Sequence, residues 1–346
     1  MQQIKKHKIL CMALCLFALI SFLPSCSKYQ DPHTETGFYF DTVIQITLYG
    51  NDKRYMDECF ELCDKYEKLF STEISDSDVS KINSSAGTGL PVVVNPDTFD
   101  LIEKSITYSE LSKGKFDITI GKLTKTWNFD LALKSPEKYT LPSQEEIDTA
   151  RISTGYENLV LNRDDFSVYI RKPGVSIDLG GTAKGYIADK LKEYLSSVNV
   201  KKGMINLGGN VLLLGSKPDS SNYNIGIKKP FSQNEEIIAA INTSDKSIVT
   251  SGIYERSFTI DEKFYHHILD TDTGYPVQNE ILSVTIISDK SMDGDALSTS
   301  VLILGLTDGL KLIESLEDTE AVIITSDNKL HYSSGLKQDK SLFSLK

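Results

Sequence analysis

Cysteine, tryptophan and basic charge are all in short supply. The 346-residue chain has five cysteines and one tryptophan. Three of those cysteines, Cys11, Cys15 and Cys26, stand near the start, so Cys59 and Cys63 are all that remain for the body. One pair at i,i+4 is not a disulfide framework. The pair falls on the apolar stripe Met56, Cys59, Cys63, Tyr66 and Phe70, whose alternating three- and four-residue steps mark one face of a helix. Two small buried hydrophobes are a simpler reading than redox or metal chemistry. Lys and Arg total 37 against 48 Asp and Glu, a net charge of −11. Phosphate binding wants a basic surface, so nucleic acid is excluded as a main partner. No internal repeat and no low-complexity block appears. With 40% hydrophobic and 25% charged residues, a wholly disordered chain, a collagen and a multi-span membrane protein are excluded.

One long apolar run is present, over residues 9–23, after a start that carries Lys5, Lys6, His7 and Lys8. At about 15 residues it is short for a spanning helix, which needs about 20. A basic start, an apolar run and then small residues form the pattern of a secretory leader over residues 1–25. Leu23-Pro24-Ser25-Cys26 is similar to the lipobox of bacterial lipoproteins, in which the Cys becomes the lipidated first residue. An ordinary signal peptide or an uncleaved anchor would share the same leader. Residues 26–37 are polar and read as a flexible tether, and residues 38–346 as the body.

Within the body, residues 38–50 read as a strand on the alternation of Ile44, Ile46 and Leu48, followed by a helix over about 52–70. Residues 71–96 read as a polar loop. Asn95-Pro96 fits a helix N-cap with Pro at the first position, opening a helix toward Lys113. Ser143-Gln144-Glu145-Glu146 fits a capping box. Strands are expected at 158–162, 166–171 and 176–179, then a helix at 183–196. Further strands are expected at 204–207, 211–214, 223–227, 237–242, 246–250, 256–260, 265–269 and 281–288. Helices at 293–304 and 307–315 precede a hairpin over 321–332. Helices with mainly meandering strands indicate an α+β protein. The length suggests about two domains, and residues 134–142 are the one seam available, although they also read as a surface loop.

Several motifs carry chemical potential. Ile177-Asp178-Leu179-Gly180-Gly181-Thr182-Ala183-Lys184-Gly185-Tyr186 runs from strand to helix. A helix start offers free N–H groups and partial positive charge to a phosphate, and Lys184 adds a full charge. The spacing is neither a Walker A loop nor a dinucleotide fingerprint, and a tight packing corner has the same pattern. Ile205-Asn206-Leu207-Gly208-Gly209-Asn210 repeats the Gly-Gly logic, with a bulge as its plainer reading. His266 and His267 face opposite ways on an alternating strand, so at most one reaches a given cleft. Asp270-x-Asp272-x-Gly274 lacks the final acid of a calcium loop, with Ile281 in its place, and reads as a turn. Asp295 and Thr299 stand i,i+4 on one helix face and offer hard oxygens suited to Mg²⁺, although an acid in a first helical turn needs no metal. Gly114-Lys115-Phe116-Asp117-Ile118-Thr119-Ile120-Gly121 precedes Trp127, which reads as a core residue in isolation.

Taken in order, these elements resemble the ApbE family, the FAD:protein FMN transferases. The resemblance runs from about Phe38 to Tyr332. It rests on Phe40-Asp41-Thr42, on Phe70-Ser71-Thr72 with Ser80-Lys81-Ile82-Asn83, on the Gly114 to Gly121 and Asp178 to Tyr186 segments, and on Ile205 to Asn210. His267-Ile268-Leu269-Asp270 leading to Thr273-Gly274-Tyr275-Pro276-Val277, and Asp295-Ala296-Leu297-Ser298-Thr299, complete it. The resemblance implies an ApbE-like α+β fold with mainly antiparallel sheets, flanking helices and FAD in a central cleft. It also implies Mg²⁺-dependent cleavage of FAD as substrate, transfer of FMN to a Ser or Thr hydroxyl of an acceptor flavoprotein, such as a redox-pump subunit, and release of AMP. Asp295, Thr299 and the Gly181 carbonyl would hold Mg²⁺. Phe40, Lys115, Phe116, Asp117, Asp178, Lys184 and Leu269 would contact FAD, and His267 would take the proton from the acceptor hydroxyl.

Many family members are exported lipoproteins, which agrees with an extracytoplasmic, lipid-anchored protein held at the membrane by Cys26. Phe40 stands where many members carry Met, and Glu73 where an aromatic residue is common. A Gly-Ala flanked by Ser or Thr, the family's usual acceptor signature, is missing, since Ser84-Ser85-Ala86-Gly87-Thr88-Gly89 has the wrong order. The acceptor is then expected to be another protein. FAD pyrophosphatase activity, a flavin-binding lipoprotein without turnover and an adhesive lipoprotein are the competing functions.

Overall fold

The computed structural model describes residues 31–50, 53–232, 234–339 and 341–346. The leader and the lipidation candidate Cys26 lie outside the described residues. The body opens with an antiparallel hairpin, β1 (Pro32–Tyr39) and β2 (Thr42–Tyr49). This corrects two expectations. Residues 32–37 are not tether but strand, hydrogen-bonded along β2. The single strand expected over 38–50 instead turns at Phe40 and Asp41, both at φ 55. A two-residue hairpin turn of this hand needs positive φ at both positions and is usually signalled by Asn-Gly. Phe-Asp carries no such signal.

Next come α1 (Lys53–Phe70), α2 (Asp78–Ser84), β3 (Val92–Val93) and α3 (Pro96–Leu111). The loop expected over 71–96 thus contains a helix, too short to show a period but capped by Ser77, whose Oγ accepts from the Ser80 N–H at 2.9 Å. Asn95 caps α3 as its sequence indicates. Two short helices then appear that the apolar pattern does not reveal, α4 (Gly121–Trp127) and α5 (Phe129–Lys134). Residues 134–142 are a surface segment, pinned where the Tyr139 hydroxyl donates to the Trp127 carbonyl at 2.9 Å. Then α6 (Gln144–Arg151) opens on the Ser143–Glu146 capping box.

β4 (Leu159–Asn162) and β5 (Ser167–Ile170) join β3 in a small antiparallel sheet. Residues 176–179 make no strand. Ser176 and Asp178 bond the 117–121 loop, with the Asp178 N–H donating to the Ile118 carbonyl at 2.8 Å and a lone bridge between Ile120 and Ser176, while the Ile177 backbone bonds the Asn83 amide in both directions. They lead directly into α7 (Ala183–Ser197).

The second half runs β6 (Gly203–Leu207), β7 (Asn210–Leu214), β8 (Tyr223–Lys228), β9 (Ile237–Thr243), β10 (Ser247–Gly252), β11 (Ser257–Ile260), β12 (Lys263–His266) and β13 (Ile281–Ser288). The strand expected over 265–269 therefore ends at His266, and Leu269 keeps one bridge to Pro276. α8 (Ser291–Glu314) breaks at Gly305 (φ 82, ψ 172), which reproduces the two helices expected there. β14 (Glu320–Thr325), β15 (Leu330–Tyr332), α9 (Ser334–Gln338) and β16 (Phe343–Leu345) complete the chain.

Eight strands form one wholly antiparallel sheet in the order β1-β2-β6-β7-β10-β13-β14-β15. Alternation assigns its two faces. Leu212 and Leu214 join the core under α1 and α7, whereas Leu213 faces the other way with Ile248 and Ile287 against the three-stranded sheet β16-β9-β8. Val284 and Ile286 of β13 pack with Leu297 and Val301 of α8. β13 is covered on both faces, which is why it reads as a continuous apolar run. Cys59 and Cys63 are free, fully buried in the first core, and their thiols are pushed up to about 12 by burial. They are packing residues. Residues 32–346 form one unit, with no boundary at 134–142.

Candidate active site

The site gathers where α7 and α8 begin. Neither helix has a side-chain cap of its own at Thr182 or Lys290. The Thr182 and Ala183 N–H groups donate back to the Leu179 carbonyl, and the Gly185 N–H is left for Asp295, which is 4% exposed. Asp295 Oδ2 accepts from the Gly185 N–H at 2.9 Å, and Oδ1 stands 3.5 Å from the Lys184 ammonium. Lys184 Nζ also donates to the Gly180 carbonyl at 3.0 Å. Gly185 is required by contact: a Cβ there would lie 2.4 Å from the Ser291 carbonyl. Thr299, one turn after Asp295, is half-buried with Oγ1 at 3.4 Å from Ser251 Oγ. Asp178 accepts from the Gly180 N–H at 2.9 Å, which shapes the loop before the helix. Phe116 is buried and its ring lies against Gly181, where a Cβ would come within 2.8 Å of it.

His266 and His267 divide as the alternation requires. His266 is 2% exposed and its Nε2 donates to the Val277 carbonyl at 2.9 Å, so it is a core histidine. His267 is half-buried, and its Nδ1 stands 3.3 Å from the Arg256 carbonyl. A carbonyl only accepts, so this contact puts the proton on Nδ1 and leaves the lone pair on Nε2. Burial pushes the imidazole down to about 3, and the positive charges of Arg256 and Lys184 push the same way. The ring is neutral at physiological pH.

Glu255 is a residue the sequence reading passed over. Its side chain opens to solvent, yet the surrounding protein pushes its carboxyl up to about 7. Lys184 opposes that rise and Asp295 adds to it, so the three groups share one electrostatic neighbourhood. The only sequence signal is a Glu-Arg pair just before the strand that leads to the histidines.

The other expected contacts lie on neighbouring loops and on the β1–β2 hairpin. Lys115 Nζ is 2.6 Å from Asp272 Oδ2 and 3.5 Å from Asp270 Oδ1, tying the 114–121 loop to the turn after His267. Thr271 Oγ1 donates to the Gly114 carbonyl at 3.0 Å in the same clasp. Leu269 is buried beside Trp127, whose Nε1 donates to the Gly274 carbonyl at 2.7 Å. Trp127 is accordingly a core residue. Asp117 is also turned inward. Oδ1 accepts from the Thr119 N–H and hydroxyl, and Oδ2 from the Tyr156 N–H at 2.9 Å. Burial raises its carboxyl above the usual range against those bonds. It braces the loop and has no oxygen without a protein donor.

Phe40 is held at the hairpin tip, where its N–H donates to Glu67 Oε1 at 2.7 Å. Its left-handed backbone is costly for a bulky residue, about 1–2 kcal/mol. The tip reaches the site through a ladder of exposed pairs: Asp41 to Lys134 at 3.7 Å, Lys134 to Asp130 at 3.9 Å, and Asp130 to Arg256. Pairs this exposed contribute little stability, but they place the Phe40–Asp41 turn, α5 and Arg256 on one rim.

The site thus brings a carboxylate and a lysine to a helix start, with a neutral histidine in the same electrostatic neighbourhood. The profile of the ApbE family matches residues 40–323. The chain belongs to the ApbE family. It is 36% identical over 291 residues to the FAD:protein FMN transferase of Klebsiella pneumoniae (strain 342), covering 84% of this chain and 88% of that one. It is 29% identical over 294 residues to the FAD:protein FMN transferase of Treponema pallidum (strain Nichols), covering 81% and 80%. The crystal structure of the ApbE protein from Thermotoga maritima superposes with a TM-score of 0.81 at 31% identity, over 89% of this chain and 99% of that one. The flavin transferase ApbE from Vibrio cholerae gives 0.77 at 27% identity, with the same coverage. The antiparallel sheets and flanking helices are thus the ApbE fold, as the α+β reading expects.

Proposed function

We propose that this chain is a Mg²⁺-dependent FAD:protein FMN transferase that moves the FMN half of FAD onto a Ser or Thr hydroxyl of an acceptor protein and releases AMP. The enzyme class follows from its ApbE membership and its FAD:protein FMN transferase relatives. One observation carries the detailed reading. The Asp295 carboxylate meets the first turn of α7 beside Lys184; Lys184 bears electrostatically on both His267 and Glu255, and Asp295 on Glu255.

Among the described residues no three His, Cys, Asp or Glu side chains cluster as a metal site. The donors fit a different kind of site: one carboxylate with neutral oxygens from Thr299 and the Gly181 carbonyl. That set suits Mg²⁺, which keeps open positions for phosphate and water. The Lys184 ammonium already stands between the Gly180 carbonyl and Asp295 Oδ1, so positive charge finds oxygen partners there. Bound Mg²⁺ would neutralise charge on the pyrophosphate of FAD.

The residues of the chain supply the rest. Lys184 and the start of α7 attract the pyrophosphate. His267 Nε2 takes the proton from the acceptor hydroxyl as its oxygen bonds to the FMN phosphorus, and the bond from that phosphorus to AMP breaks. A base pushed down to about 3, chiefly by burial, is weak, but the share of that depression that comes from positive charge changes when an anion enters. The pyrophosphate offsets Lys184 and Arg256 and so raises the imidazole. Phe40 and Phe116 supply apolar wall for the substrate, with Lys115, Asp178 and Leu269 beside them.

The acceptor is a separate flavoprotein, such as a redox-pump subunit, outside the cytoplasm, with the enzyme anchored to the membrane through lipid on Cys26. The test is incubation with FAD, Mg²⁺ and a candidate acceptor. Asp295→Ala should abolish AMP release, and His267→Ala should lower it by about 10²–10⁴-fold. AMP release unchanged in both variants would sink the site assignment, and FMN plus AMP with no modified protein across several acceptors would point to hydrolysis.

A further inference from the structure

Asp295 does more than face the cleft: it closes the start of α7 through the Gly185 N–H at 2.9 Å. The start of α8 is closed in the same way from the opposite side. Asp189, one turn after Gly185 on α7, accepts from the Ser291 N–H at 2.8 Å with Oδ1 and from the Met292 N–H at 3.0 Å with Oδ2. Each helix lacks its own side-chain cap, and each receives one from the other. Each carboxylate also sits at the positive end of the opposing helix dipole. Gly185 lets the two backbones touch at Ser291 and Met292. Asp293 is not a substitute cap, because its carboxylate already accepts from the Tyr108 hydroxyl.

We propose that Asp189 is the positioning residue for Asp295. It fixes the height and rotation of α8 against α7, so that Asp295 keeps Oδ2 on Gly185 and presents Oδ1 to the cleft. The proposal rests on the reading of Asp295 as the metal-site carboxylate, and its consequences for α7 are independent of that reading. A cap that merely stabilises α8 can be replaced locally. A cap that holds two helices in register cannot.

That difference supplies the test. Asp189→Ala removes the reciprocal cap. Asp189→Ala with Lys290→Asp adds a local one, at an exposed position whose φ of −110° and ψ of 137° suit an N-cap. Asp189→Asn, which keeps one acceptor oxygen, serves if the alanine variant does not fold. The readouts are thermal stability, amide exchange at Gly185, and affinity for Mn²⁺ alone without FAD. Asp189→Ala should lower the melting temperature, speed exchange at Gly185 and weaken Mn²⁺ binding about tenfold or more, with Asp189→Asn between it and the parent. The double variant should regain the melting temperature but neither Gly185 protection nor Mn²⁺ affinity. If it regains all three, Asp189 is only a cap and the proposal falls. Unchanged exchange at Gly185 in Asp189→Ala overturns it as well. Wild-type Mn²⁺ affinity in Asp295→Ala instead removes the metal reading, and Gly185 exchange then decides the positioning role by itself.

Discussion

The proton affinity of His267 is set by its surroundings more than by its own chemistry. Burial and the charges of Arg256 and Lys184 push it down to about 3 from the ordinary value near 6.5. The unfolded chain therefore takes up a proton below about pH 6.5 that the folded chain refuses. The stability contributed by the neutral ring is fully present above that pH and is lost as pH falls toward 3. Nitrogen-15 shifts of the His267 imidazole should stay those of the neutral Nδ1–H tautomer from pH 8 to pH 5 in the enzyme without FAD. A midpoint near 6.5 would contradict the cleft electrostatics. His267→Gln should remove that share of the acid-side stability loss, read from melting temperatures at pH 7 and pH 5.

At the scale of elements, the junction of α7 and α8 is the most constrained part of the site. A Cβ on Gly185 would meet backbone at Ser291 and Met292, and backbone cannot swing aside as a side chain does. Gly185→Ala should cost about 1–3 kcal/mol by overpacking, read from denaturant midpoints, and should lower FMN transfer by displacing Asp295. A variant with unchanged stability and transfer would show the junction to be loose. Much of this level was legible from residue patterns. The Asn95 and Ser143 caps, the strand 281–288, the Gly-Gly approach to α7 and the Asp295–Thr299 face are all written locally. The break at Phe40–Asp41 was not, because positive φ there is imposed by strand pairing and by Glu67 from another element. α4 and α5 are too short for periodicity. Asp117 shows what the motif does not reveal: both its oxygens accept from Thr119 and Tyr156, a demand that only the tertiary contact makes visible. Glu255 and Asp189 carry no motif of their own and gain meaning only from what faces them.

At the scale of the whole molecule, one antiparallel sheet and the helices on it hold Phe40, Lys184, Asp295 and His267 in a single body over residues 32–346. The hairpin β1–β2 brings Phe40 to the rim, and the first turns of α7 and α8 bring Lys184 and Asp295. The strand-to-turn segment after β12 brings His267. The net charge of −11 means that an anionic substrate is drawn in by local positive charge and not by the overall field. The anchor proposed at Cys26 has a direct consequence: Cys26→Ser should leave transfer in detergent extracts intact and move the protein from the membrane to the soluble fraction, whereas retention in the membrane would rule out lipid on that residue. The central chemistry is tested most directly by the intact mass of a purified acceptor protein after incubation with FAD, Mg²⁺ and the enzyme. A Ser- or Thr-linked gain of one FMN, with matching AMP and no gain when Asp295 is Ala, is the expected result. An acceptor of unchanged mass while FAD is consumed, or full labelling by the Asp295→Ala enzyme, would contradict it.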